Sequence, residues 1–291
     1  MDINKDIKNI LDEQIKKQTT IPTIDDIVKD SALFEIEDGK VSFTSHPSTM
    51  EHQGLRLRCE AFSNMCGEFG INNIKFLFFP HDNTSCYENN EHYTICFSKI
   101  KHQNFITAPN IHLLGGMLDA ELNAIKQHDI SFEEKEKSSI FVGGPQGKKR
   151  GDYVYSLSGN SKHIGLLTNR PIISIPYQLR YLFQINIDGH TMCYDRLYWQ
   201  MASNSIPVYL DRDKEIIQLH DELIIPNRHY VESTAKTWLT TYEELVNESS
   251  MKVIADNGKE FVERHFGNDP MYNSMLILEY ILKAIKDQQN V

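Results

Sequence analysis

Several things the chain lacks narrow what it can be. Its 291 residues include five cysteines (Cys59, Cys66, Cys86, Cys96, Cys193), an odd number with no C-x-x-C pair. Neither a disulfide framework nor a zinc ribbon is indicated, and a reducing compartment fits best. Long apolar runs are also missing: the longest strongly apolar piece is Phe76 to Phe79, far short of a bilayer span. The amino terminus MDINKDIKNILDEQIKKQ carries a charge every second or third residue, which no export signal does. We therefore expect a cytoplasmic protein without a transmembrane segment, with peripheral contact at the inner face of the membrane left open. Positive charge is scarce too. A formal net charge of −10 argues against a nucleic-acid partner, which requires a basic face, but leaves room for a nucleotide-sized anion held by a few local donors. There is no Walker loop, no G-x-G-x-x-G and no H-E-x-x-H.

What is present reads as alternating strands and helices. With 40% hydrophobic residues the chain can fill real cores, and its length suits two lobes. Ile3, Ile7, Ile10, Leu11 and Ile15 share one helical face. Asp38-Gly39 between 33–37 and 40–44 is a tight-hairpin signal. A helical pattern from Met50 to Phe69 stops at Gly70, and the run Ile74 to Phe79, apolar at every residue but Lys75, predicts a strand covered on both faces. Helical spacing from Leu118 to Lys126 precedes a charged turn, Glu133 to Lys137, where we place the lobe boundary. Beyond it the spacing predicts strands at 139–142, 164–168 and 172–175 in βαβ alternation, then three closing helices at 237–246, 251–266 and 271–285. The expected division is an acceptor-side lobe over 1–135, a nucleotide-binding lobe over 136–269, and a last helix, 270–291, returning to the first lobe.

The central stretch FQINIDGHTMCYDRLYWQMASNSIPVYL (183–210) reads as strand, turn, helix, strand. In open α/β sheets such turns face the ligand crevice, and the following helix offers free N–H groups to a phosphate. Gly143, Gly144, Gly147 and Gly151, interleaved with Lys148, Lys149 and Arg150, make a second phosphate-cradle candidate, with a basic surface loop as the plain alternative. Asp82, just past the buried strand, is placed to act as a general base, although turns favour Asp for their own reasons. His81-Asp82 invites a metal-hydrolase reading that lacks further ligands at recognisable spacing, and Asp211-Arg212-Asp213 has the letters of a metal-binding D-x-D. The dipeptide His229-Tyr230 is by default a partly buried pair without function.

Taken in order, KFLFFPHD, CFSKIKHQNFITAPN, SFEEKEKSSIFVGG, NIDGHTMCYDRLYWQMASNSIPVYL and LIIPNRHYV resemble glycosyltransferase family 90, whose members include protein O-glucosyltransferases and capsule- or lipopolysaccharide-associated enzymes. The Ser-Asn-Ser centre is closest to the bacterial branch. The resemblance implies an α/β, GT-B-like fold of two Rossmann-like lobes facing a cleft. It also implies inverting transfer of a sugar, glucose or xylose foremost, from a UDP-sugar to a hydroxyl of a glycan or lipid-linked glycan, with no essential metal or other cofactor. It assigns the catalytic base to Asp82. Donor binding falls to Gly144, Lys148, Arg150, Asp188, Gly189, Arg196, Ser203, Asn204, Ser205, His229 and Tyr230. Two departures stand out. Val142-Gly143-Gly144 replaces the family's aromatic-Arg-Gly, so Lys148, Lys149 or Arg150 must supply the cation, and the spacing from Gly189 to Arg196 is one residue longer than in the protein-modifying branch. The readings that compete are a nucleotide-sugar-binding partner protein without transfer activity, a protein O-glycosyltransferase, and a metal-dependent GT-A enzyme built on Asp211-Arg212-Asp213.

Overall fold

In the computed structural model the described residues are 3–81, 84, 87–145, 148–157, 159–168, 173–189 and 195–290. They form two compact units. One comprises 1–115, 215–221 and 271–291; the other comprises 116–214 and 222–270.

In the first unit, helix α1 (Lys5–Ile15) starts at Asn4, whose side chain accepts from the Asp6 amide, and buries Ile7, Leu11 and Ile15. The hairpin β1 (Ala32–Glu37) and β2 (Lys40–Ser45) turns on Asp38 and Gly39, both at positive φ as the sequence requires. The helix expected from Met50 is two pieces, α2 (Pro47–Glu51) and α3 (Gln53–Gly67), because the His52 imidazole caps the second by accepting from the Leu55 amide. Then follow β3 (Ile74–Phe79), β4 (Thr94–Cys96), β5 (Lys99–Ile100), β6 (Ile106–Thr107) and α4 (Ile111–Leu114). The sheet order is β2-β1-β3-β4-β6, with β1 antiparallel to both neighbours and β3, β4 and β6 parallel. Phe34, Phe62, Phe76, Phe78 and Phe97 pack as one aromatic core, with Phe62 and Phe78 stacked at 4.1 Å.

The second unit begins with α5 (Met117–His128), continues through β7 (Glu136–Gly143), α6 (Lys148–Ser156), β8 (His163–Leu167), α7 (Ile175–Gln178), β9 (Tyr181–Ile187), α8 (Arg196–Met201) and β10 (Ile206–Leu210). The chain then enters the first unit for β11 (Ile216–Ile217), antiparallel to β5, and returns for β12 (Val231–Ser233), α9 (Trp238–Leu245) and α10 (Lys252–Phe266). The last helix, α11 (Pro270–Gln289), contributes its residues from Met271 onward to the first unit. There Gln289 bonds both the N–H and the C=O of Lys75, and Tyr280 donates to Asp12.

The division falls at Gly115-Gly116, ahead of the charged turn expected to mark it, because α5 packs on α7 and α8. Part of that turn, Glu136 and Lys137, is already strand. Of the strand expected at 172–175, Ile172 lies outside the described residues, and Ile175 instead opens α7 behind Ser174, with Pro176 in the first turn. Among the described residues no helix is long and apolar enough to cross a membrane.

Candidate functional site

All strands of the second unit's sheet run parallel, in the order β12-β10-β9-β7-β8. From β7 the chain steps to β8 on one side, then crosses back to β9 on the other, and continues outward through β10 and β12. Such a reversal leaves a crevice outside the carboxyl ends of the two central strands, where no crossover covers the backbone. Here those strands are β7 and β9. Their carboxyl ends carry Gly143-Gly144 and Asp188-Gly189, so the topology unites two stretches that the sequence keeps well apart.

Arg150 joins them. Its buried guanidinium donates from Nε to the Ile187 carbonyl at 3.0 Å and from Nη1 to the Gly144 carbonyl at 3.2 Å. A Cβ on Gly189 would stand 3.1 Å from Arg150 Nη2, so the glycine makes room for the cation. Arg196, the first residue of α8, repeats this at the neighbouring strand. A Cβ on Gly143 would lie 3.3 Å from Arg196 Nη1 and 2.7 Å from Phe141 Cζ, a distance real side chains do not tolerate. Both guanidiniums sit near the Phe141 ring, Arg150 at 5.9 Å and Arg196 at 5.6 Å from its centre. The ring's electron-rich face favours cations, and two like charges beside one ring are relieved by an anion.

Asp188 organises this end of the sheet. Its Oδ1 accepts from the Tyr209 hydroxyl at 2.5 Å and its Oδ2 from the Asp213 amide at 3.0 Å, which fixes the turn after β10. Burial raises its pKa, against the lowering effects of those two bonds and of Lys149 and Arg212. Arg212 stacks on Tyr209 and Tyr230, 5.3 and 5.6 Å from the ring centres, and donates to the Tyr230 hydroxyl at 3.0 Å. Lys149 donates to the Asp211 carbonyl. Asp211 itself, at φ 50°, accepts from the Ala235 amide, so its carboxylate closes a turn. No group of three or more metal-ligating side chains occurs among the described residues.

Other expected site residues are placed differently. Ser203, Asn204 and Ser205 precede β10 and therefore lie at the amino end of the parallel sheet, about 15 Å of strand from Asp188. Their polar groups are engaged there. Ser203 donates to the Gln200 carbonyl and Ser205 to the Tyr181 carbonyl. Asn204 donates from its amide to Asp129 and from its side chain to the Ile130 carbonyl, while accepting from Lys259. Asp129 in turn binds Lys135, whose ammonium is fully buried. His229 accepts from the Ile225 amide and packs on Phe261, and burial lowers its pKa, so it holds its own turn. Tyr230 joins the carboxyl-end group through Arg212.

The expected basic loop is a helix from Lys148 on, and Gly151 lies inside it with open space where a Cβ would go; it is not part of a cradle. Lys148 supplies backbone at the start of α6; its side chain, Gly147 and residues 190–194 lie outside the described residues. At six residues, α8 is too short to contribute the dipole expected of it, whereas the nine-residue α6 starts directly beyond β7. Asp82 also lies outside the described residues. Of the described residues near it in sequence, Pro80 accepts from Arg58 at its carbonyl, and Thr84 and Gln103 bond each other.

Sequence reasoning passed over Glu121 and Asp195. Glu121, in the second turn of α5, has a buried Oε2 without a hydrogen-bond partner, and burial with the nearby Asp195 pushes its pKa up to about 9 against the opposing effect of Arg196. A glutamate on an amphipathic helix gives no local sign of this. The chain matched no protein-family model, and a search of curated proteins returned no significant match.

Proposed function

We propose that this chain is a glycosyltransferase of the two-lobed GT-B kind, moving glucose or xylose from a UDP-sugar, with inversion, to a hydroxyl of a lipopolysaccharide- or capsule-type glycan at the cytoplasmic side of a membrane. The observation that carries the reading is the pair of guanidiniums, Arg150 and Arg196, set against glycines at the switch point of a parallel sheet. That is where a diphosphate would be received. Arg196 Nη1, 3.3 Å from where a Cβ on Gly143 would stand, brings a cation beside the position at which the family carries arginine. The donor set is then Gly144, Arg150, Gly189, Arg196 and the start of α6, with Asp188 and Tyr230 holding its walls. Ser203, Asn204, Ser205 and His229 are left out of it.

The chemistry follows from charge. Asp82 takes the proton of the acceptor hydroxyl, the resulting oxygen attacks the anomeric carbon from the face opposite the diphosphate, and the carbon–oxygen bond to UDP breaks. The departing negative charge falls on the arginines and on the first-turn N–H groups of α6. Fixed guanidiniums supply the positive charge in this scheme, so activity should survive EDTA.

The test is UDP release from a panel of UDP-sugars, with and without glycan or protein acceptors, by the wild type and by Asp82→Asn. The reading expects acceptor-dependent release by the wild type. It expects a loss of roughly 10²–10⁴-fold in the variant, with UDP affinity retained. UDP binding without release under any acceptor would leave a binding protein, and release by Asp82→Asn at the wild-type rate would remove Asp82 as the base.

A further inference from the structure

Two buried polar atoms near the arginine pair lack partners. Glu121 Oε2 and Arg196 Nη1 each make no hydrogen bond, although the two residues are near enough for the arginine to act on the titration of the carboxyl. A buried donor or acceptor left unsatisfied is costly, so two complementary ones on the packed helices α5 and α8 call for a reason. They do not bond each other. Each residue as a whole is only half-buried.

The placement is equally specific. Arg196 opens α8 over Gly143 at the carboxyl end of β7, and α5, which carries Glu121, packs directly on α8. The pair therefore flanks the diphosphate position on the α5 side. A hydroxyl both donates and accepts, and a carboxyl opposite a guanidinium satisfies both halves at once. We infer that Glu121 and Arg196 form a hydroxyl-binding subsite beside the anion site, receiving the ribose or the transferred sugar of the nucleotide-sugar. The inference rests on the donor-site reading above. It assigns a specificity role to a residue on α5 that no sequence feature marks.

The charge state suits such a neighbour. With its pKa raised to about 9 by burial and by Asp195, Glu121 is neutral near pH 7 and adds no negative charge beside a bound diphosphate. As pH rises through about 9 the carboxyl ionises, and binding of the anionic donor should weaken.

Calorimetric titration of wild type, Glu121→Leu and Glu121→Gln with UDP, UDP-glucose and 2′,3′-dideoxy-UDP tests this. Leucine removes the hydrogen bonds, whereas glutamine keeps a donor and an acceptor in the same shape. If the ribose occupies the subsite, Glu121→Leu weakens UDP and UDP-glucose alike by about tenfold, and dideoxy-UDP binds both proteins equally. If the transferred sugar occupies it, UDP affinity is unchanged and only UDP-glucose weakens. In both cases Glu121→Gln stays near wild type. A Glu121→Leu protein that binds all three ligands as wild type does overturns the subsite and leaves the donor site standing. A wild type that binds neither UDP nor UDP-glucose overturns both. Should Glu121→Leu fail to fold, the alkaline profile decides. Wild-type UDP affinity should drop as pH passes about 9, and the Glu121→Gln profile should lack that drop beyond what uracil's own titration causes in both proteins. Superimposable profiles overturn the inference.

Discussion

The two ends of the second unit's sheet are built from similar residues put to opposite uses. At the amino end, Asp129, Lys135, Asn204 and Lys259 satisfy one another and the nearby backbone, with the Lys135–Asp129 pair at 2.6 Å and sealed from water. Burial lowers the Lys135 pKa against the pull of Asp129. At the carboxyl end, Arg150 and Arg196 are set against glycines and an aromatic ring, and Arg196 Nη1 is left without a partner. A closed network of charges fixes a fold, whereas an incompletely satisfied one is poised for a ligand. The difference teaches that polar residues in one motif-bearing stretch need not share a job: the segment from Asp188 to Ser205 begins at one end of the sheet and finishes at the other.

The largest effect should come from breaking the closed end. Asp129→Ala strands a buried ammonium and removes the acceptor of the Asn204 amide, so we expect a loss of about 3–5 kcal/mol in urea unfolding. UDP affinity of the folded fraction should be unchanged. An equal loss of affinity would mean that the two ends are not separate.

Arg150→Ala addresses the open end. It removes the fork that ties Ile187 to Gly144, and UDP binding should weaken by about 100-fold, with stability falling by about 2 kcal/mol. Calorimetry alongside unfolding separates the two quantities. A variant with normal UDP affinity would move the diphosphate elsewhere.

A smaller effect sharpens the contrast. Ser205→Ala loses a single bond to the Tyr181 carbonyl and should cost about 1 kcal/mol of stability without touching donor affinity. Weakened UDP binding in this variant would restore Ser205 to the donor site that the family resemblance gave it.

The smallest effect is a dependence on pH. His163 begins β8, its Nδ1 lies 2.7 Å from the Ser139 hydroxyl, and burial lowers its pKa. A histidine whose folded pKa lies below its unfolded value contributes stability that is whole above about pH 6.5 and is lost as pH falls through the lowered folded value. His163→Gln should flatten that acid limb in thermal unfolding followed between neutral pH and pH 5. His229, also lowered by burial, contributes in the same direction. An unaltered limb in His163→Gln would assign the dependence to other groups.

Much of the fold was legible along the chain because the signals are local. Asp38-Gly39 sets its own positive φ angles, the apolar run Ile74 to Phe79 has no conformation as good as a covered strand, and the closing helices carry their periodicity with them. Boundaries were less so. The charged turn at 133–137 looked like a lobe division, yet which unit α5 joins depends on what its apolar face meets, and it meets α7 and α8. The site was half legible. Gly143-Gly144 and Asp188-Gly189 announced themselves as turns after strands, and Arg150 as a cation near one of them.

What the sequence determined by itself, then, is the set of strands, helices and glycine turns, since each depends on residues within a few positions of one another. Only the tertiary structure decided which turns share an end of the sheet. The order β8-β7-β9-β10-β12 brings Gly143 and Gly189 together and sends Ser203 to Ser205 to the opposite end, a consequence of a parallel strand carrying the chain about 3.3 Å per residue in one direction. It also decided charge. Glu121 is an ordinary surface-type residue by pattern, and only the removal of water around it, beside Asp195, keeps its proton in place at neutral pH.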